Sequence, residues 1–196
     1  RKTIREQAAV FGGVPSELET YDFIYLLVPF FYRHAVEHEN SSMYVLPEGV
    51  AKDADSFRGL IGISSHEFWH TWNVKRLRPA ELWPYDYSTP QYTTLHWLTE
   101  GVTDYYAYLT LCRAGVYSQE EFFDYCSRIM TSLENNYAQK VVSPAESSWD
   151  SWLATSPYMP DHQRISYYTL GSRLGLLIDL TLRKRTGNKA GLDDVF

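Results

Sequence analysis

His66-Glu67-Phe68-Trp69-His70, set inside the run 57–74, is the stretch on which the reading of this chain turns. The apolar content of the run and Pro79 beyond it predict a helix. On a helix, residues four apart lie about 40° apart around the axis and about 6 Å along it. His66 and His70 then leave one face and can reach a single zinc ion at about 2.0–2.1 Å. Glu67 falls on the neighbouring side, placed to take a proton from an attacking water rather than to ligate. Lys75, Arg76 and Arg78 read as the solvated C-terminal end of this helix, where the dipole favours cations.

The 196 residues, 44% hydrophobic and 16% aromatic, suffice for a single domain with a sizeable core, read here as one catalytic domain over 1–196. A net charge of −6 argues against nucleic acid as a partner, since phosphate neutralisation needs a basic surface. No apolar run is long enough to span a bilayer. Cys112 and Cys126 sit among apolar and aromatic neighbours and read as two buried thiols, not as a disulfide or a metal site. The chain opens without Met or signal peptide and closes in mid-pattern, so it is expected to be part of a longer protein, and its compartment stays open.

Residues 2–10 predict a short helix, 21–28 a buried strand bounded by Pro29, and 35–46 a second strand at an edge. After a loop over 49–55 the character turns helical. Helices are expected over 57–74, over 95–114 up to Gly115, and from the capping box of Ser118 and Glu121 to about residue 137. A last one, over 166–186 up to Gly187, is apolar most of the way round and is expected at the centre of the core. The fold class is mainly α (α+β), with a β-containing lobe over 1–55 and a helical lobe over 56–196.

A hydrolytic zinc site takes three protein ligands and keeps a fourth position for water. His96, Glu100 and Asp104 fall on one helical face at spacings of four, and Glu100 is the candidate third ligand. Asp104 can accept a hydrogen bond from the distal N–H of a ligand imidazole, fixing its tautomer. Alone, such a stripe is most simply a solvated face. Its pairing with the two histidines on a preceding helix favours the metal site.

Three blocks, HEFWHTWNVKRLRP from His66, LHWLTEGVTDYY from Leu95 and SYYTLGSRLGLLIDLTLRKRTGNKAGLDDVF from Ser166, resemble the catalytic domain of the glycyl aminopeptidases. These are zinc peptidases of the gluzincin group, related in fold to thermolysin and aminopeptidase N, and the resemblance spans about residues 21–196. It implies a thermolysin-like fold with a small N-terminal sheet and a helical bundle. It also implies one zinc ion held by His66, His70 and Glu100, Glu67 as general base, and further N-terminal β-rich and C-terminal PDZ domains. It implies that Tyr168 donates to the tetrahedral oxyanion; a phenol with an ordinary pKa near 10 stays protonated for that task. Tyr167, about 100° round the helix, reads as a core aromatic. Glu37 matches the residue that holds the substrate's α-ammonium on an edge strand beside the metal. Here the chain departs from the family, with His34-Ala35-Val36 in place of Gly-Gly-Leu and Leu170 where a lysine commonly precedes Gly171. The implied activity is removal of glycine or alanine from the N-termini of peptide or protein substrates. A thermolysin-like endopeptidase and a non-catalytic peptide-binding domain on the same frame remain open alternatives.

Overall fold

The computed structural model describes residues 1–154 and 156–196. It is mainly α with one three-stranded sheet among the described residues. The chain gathers into two compact units, Arg1–Leu77 with Tyr106–Tyr117, and Arg78–Tyr105 with Ser118–Phe196. No helix among the described residues is long and apolar enough to cross a membrane.

The first unit holds strands β1 (Asp22–Val28), β2 (His34–Glu37) and β3 (Ser41–Pro47) in the order β1-β3-β2. β1 runs parallel to β3, and β2 pairs antiparallel with it, from His34 opposite Val45 to Glu37 opposite Ser42. The stretch read as one strand over 35–46 is therefore a hairpin, its turn closed by the His38 N–H donating to the Ser41 carbonyl at 2.7 Å. β3 lies in the middle and buries every second side chain, Ser42, Tyr44 and Leu46. β1 is not the buried strand expected: Ile24, Leu26 and Leu27 are about half exposed, at 50%, 49% and 51%. An apolar run signals strand, but at a sheet edge it does not say what covers its faces.

Helix α1 (Lys2–Val10) lies against α2 (Ala54–Trp69). Asp53 starts α2 by accepting the Ser56 N–H at 2.8 Å. One hydrophobic cluster joins Ala8, Phe68 and Trp72, and another joins Tyr44, Leu46 and Val50. α2 ends five residues before the predicted 74. Beyond it the chain winds unevenly: Thr71 and Trp72 donate three residues back, Lys75 and Leu77 five back. Trp72 and Asn73, within this uneven turn, are both buried.

In the second unit a π-helical turn, Trp97–Val102, leads into α3 (Thr103–Arg113). α4 (Gln119–Glu134) opens on the Ser118/Glu121 capping box, and α5 (Pro144–Trp149) on a second one of Ser143 and Glu146. α6 (Tyr167–Thr186) stops at Gly187, whose φ of 62° suits a residue without a Cβ. α6 is not a central core helix. Besides Leu170 it turns mainly small and polar residues inward (Gly171, Ser172, Gly175, Asp179) and leaves Leu177 and Leu180 exposed. Cys112 and Cys126 are free thiols, half-buried rather than fully buried.

Candidate active site

His66, Glu67 and His70 are all buried. Two of the three residues between the histidines, Phe68 and Trp69, hold the helix in rotation. Phe68 enters the cluster of Ala8 and Trp72, and Trp69 stacks on Tyr106 with ring centroids 4.1 Å apart. One residue earlier, Ser65 receives the buried Gln7 amide at both its carbonyl and its hydroxyl, 2.9 and 2.8 Å. His70 Nδ1 lies 2.7 Å from the Asn73 carbonyl oxygen. A carbonyl only accepts, so Nδ1 carries the proton and Nε2 keeps its lone pair. That lone pair faces His66 Nε2 at 3.0 Å. This is the tautomer a metal ligand needs, set by a backbone carbonyl that has no signature in sequence.

Glu37 closes β2, and Lys75 Nζ stands 3.1 Å from its Oε1, the two side chains only 22% and 11% exposed. Arg76 reaches Glu17 at 2.9 Å and Glu39 at 3.5 Å. Lys75 and Arg76 are thus not a solvated helix end, as the sequence suggested: the turn after Trp69 brings them to the carboxylates of Glu37, Glu17 and Glu39. Arg78 instead stacks over the Trp83 ring at 4.3 Å. Burial pushes the Tyr21 phenol well above its ordinary pKa, and the Glu67 and Glu37 carboxylates push in the same direction. Its hydroxyl donates to the Glu67 carbonyl at 3.3 Å.

In the second unit Glu100 sits within the π-helical turn. Such turns wind by i→i+5 bonds and recur at functional sites. The Tyr168 hydroxyl hydrogen-bonds to Glu100; burial, then that carboxylate, holds the phenol far above its usual pKa, with Tyr167 and Asp104 adding to the shift. Tyr167 does not turn away as the 100° rule predicted. Its ring stacks on Tyr168 at 4.8 Å and lies 5.3 Å from His96. Burial and then the Glu100 charge raise its pKa too. Burial lowers the His96 pKa against the pull of Glu100 and Glu81, so this imidazole favours its neutral form. His96, read from the sequence on one face with Glu100, does feel its charge, whereas Tyr167 is a neighbour of Glu100 that the sequence reading passed over as a core aromatic.

α6 meets the π turn at two glycines. A Cβ on Gly171 would stand 1.9 Å from the Trp97 carbonyl oxygen, and one on Gly101 would stand 2.5 Å from the Gly171 Cα. Ser172 Oγ donates to the Gly101 carbonyl at 2.9 Å and receives the Tyr125 hydroxyl at 3.0 Å. Leu170, the departure from the family's lysine, is 1% exposed and belongs to the core.

Among the described residues of the first unit, Glu37, Glu67 and His70 form a group that could hold a metal ion, one ligand atom of each lying within 4.8 Å of the others. His66 adds a second imidazole beside His70, their Nε2 atoms 3.0 Å apart. Two imidazoles and a carboxylate form the donor set that zinc takes in hydrolases, with room for a fourth ligand. The His70 ring, its Nδ1–H held by the Asn73 carbonyl and its Nε2 turned to His66, fits that role.

A crystal structure of an aminopeptidase N family protein from Idiomarina loihiensis shares this fold at a TM-score of 0.90 and 25% identity, covering 99% of this chain and 34% of that one. The chain therefore spans about a third of that protein's length. Among curated proteins there is no match. Fold and buried His–Glu cluster together define the class, the gluzincin aminopeptidase frame. The sequence model of the M61 glycyl aminopeptidase family matches residues 59–174, more than half of the chain, and the chain belongs to that family.

Proposed function

We propose that this chain is the catalytic domain of a zinc-dependent aminopeptidase that removes small N-terminal residues, glycine or alanine, from peptides. The observation that carries the reading is the buried pair His66 and His70, whose Nε2 atoms lie 3.0 Å apart on the helix that also carries the buried Glu67. His66, His70 and Glu100 would hold the ion, and Asp104 would orient a ligand imidazole. When bound, zinc supplies a Lewis acid that lowers the pKa of water to about 7 and polarises the scissile carbonyl. Glu67 takes the proton of the attacking water and hands it to the leaving amine. Tyr168 donates its hydroxyl to the oxyanion, and a phenol, with an ordinary pKa near 10, keeps that proton at neutral pH. Glu37 accepts the substrate's α-ammonium, so that only the first residue reaches the cleavage position.

One observation favours a second reading, a thermolysin-like endopeptidase: Glu37 already has a cation, Lys75, at 3.1 Å. The test is metal analysis of the intact protein together with matched peptides bearing free and N-acetylated termini. Stoichiometric zinc and cleavage of the free peptide alone are expected. Equal cleavage of both peptides selects the endopeptidase, and a metal-free active enzyme overturns both.

A further inference from the structure

We infer that Lys75 is a specificity-determining residue, an internal cation that competes with the substrate's α-ammonium for the Glu37 carboxylate. The inference rests on Glu37 being the amine anchor. Lys75 Nζ engages Glu37 Oε1 at 3.1 Å, with both side chains mostly withdrawn from water. Glu37 is the last residue of an edge strand, and its carboxylate lies within 4.8 Å of donor atoms of Glu67 and His70. An amine bound through Glu37 would therefore enter beside Lys75, and two cations would share one carboxylate. Charges shielded from solvent feel each other at an effective dielectric nearer 20 than 80, so this crowding is not screened away as it would be on the surface. An N-acetylated or internal peptide carries no cation and meets no such repulsion. Lys75 thus lowers the advantage of a free N-terminus, and how strongly the site behaves as an exopeptidase depends on it. The sequence gives no hint of this, because Lys75 is five residues past His70 and meets β2 only through the uneven turn at 70–77.

The experiment compares kcat/KM for a short peptide with a free N-terminus and for its N-acetyl counterpart, using intact metal-loaded protein. Lys75→Met keeps most of the aliphatic stem and removes the charge, and Lys75→Gln is a second neutral variant. Both are expected to raise the free-to-blocked ratio about tenfold, equivalent to about 1.4 kcal/mol, mainly through a lower KM for the free peptide. Lys75→Arg should stay near the parent ratio, and Glu37→Gln should lower it. Calorimetric binding of the same two peptides to a Glu67→Gln background reads the same ranking without turnover. If Glu37→Gln lowers the ratio while both neutral Lys75 variants leave it unchanged or reduce it, the competition is refuted and the anchor stands. If Glu37→Gln has no effect, the anchor itself is wrong and the inference goes with it.

Discussion

Glu67 and Tyr168 carry the sharpest residue-scale expectations. Glu67→Gln should keep its zinc and lose turnover by about 10²–10⁴, the usual worth of general acid–base catalysis; retained peptidase activity would remove Glu67 from the mechanism. Tyr168→Phe should lower kcat by about 10²–10³ with KM little changed, because the donor acts on charge that develops only in the transition state. Since the Tyr168 pKa is raised, its ionisation should put no alkaline limb on the rate below about pH 10. The roles proposed for His66, Glu67 and His70 were legible because side chains four apart on an apolar helix leave few alternatives. The partners that tune them were not. The carbonyl that sets the His70 tautomer belongs to the backbone of Asn73, and the Lys75–Glu37 pair joins residues 38 positions apart through a turn with no sequence signature.

Element by element, the helical half read better from the sequence than the sheet. Capping boxes and terminal glycines are local signals, and α4 and α6 begin and stop within a few residues of where those signals fall. The sheet needs long-range knowledge: which of two apolar strands is central depends on partners, and β3 won the buried position over β1. The π turn was invisible for a related reason, since an α-helical wheel assumes the winding that Trp97–Val102 abandons. Gly171→Ala should cost about 3 kcal/mol or more, because the new methyl meets backbone that cannot move aside. Calorimetric melting would measure this, and an unchanged Tm would show that α6 can shift. Asp179 makes the other element-scale prediction. Burial raises its pKa, but the Leu192 N–H, the Tyr105 hydroxyl and Arg183 outweigh burial and hold the carboxyl below its ordinary 3.8. A depressed folded pKa contributes stability above the unfolded value, and that contribution is lost as pH falls through the folded one. Asp179→Asn should therefore destabilise the protein by about 2–3 kcal/mol at neutral pH and shrink the gap as the pH drops below about 4. Parallel losses across the whole pH range would mean that the effect is packing rather than charge.

At the scale of the whole molecule the metal is the main lever. Chelation should abolish hydrolysis and zinc should restore it. An ion that binds only the folded chain stabilises by about 2.7 kcal/mol at a hundredfold excess over Kd, so the melting temperature should rise with zinc concentration. A Tm indifferent to zinc and chelator would argue against a bound ion. The backbone contact between Gly101 and Gly171 has a consequence of its own. With no side chain between the two helices to yield or slide, the carboxylate of Glu100 and the phenol of Tyr168 ride on one welded block. On gradual heating they should fail together: affinity for the ion and the power to steady an oxyanion ought to vanish in a single cooperative step, with no intermediate that retains one and lacks the other.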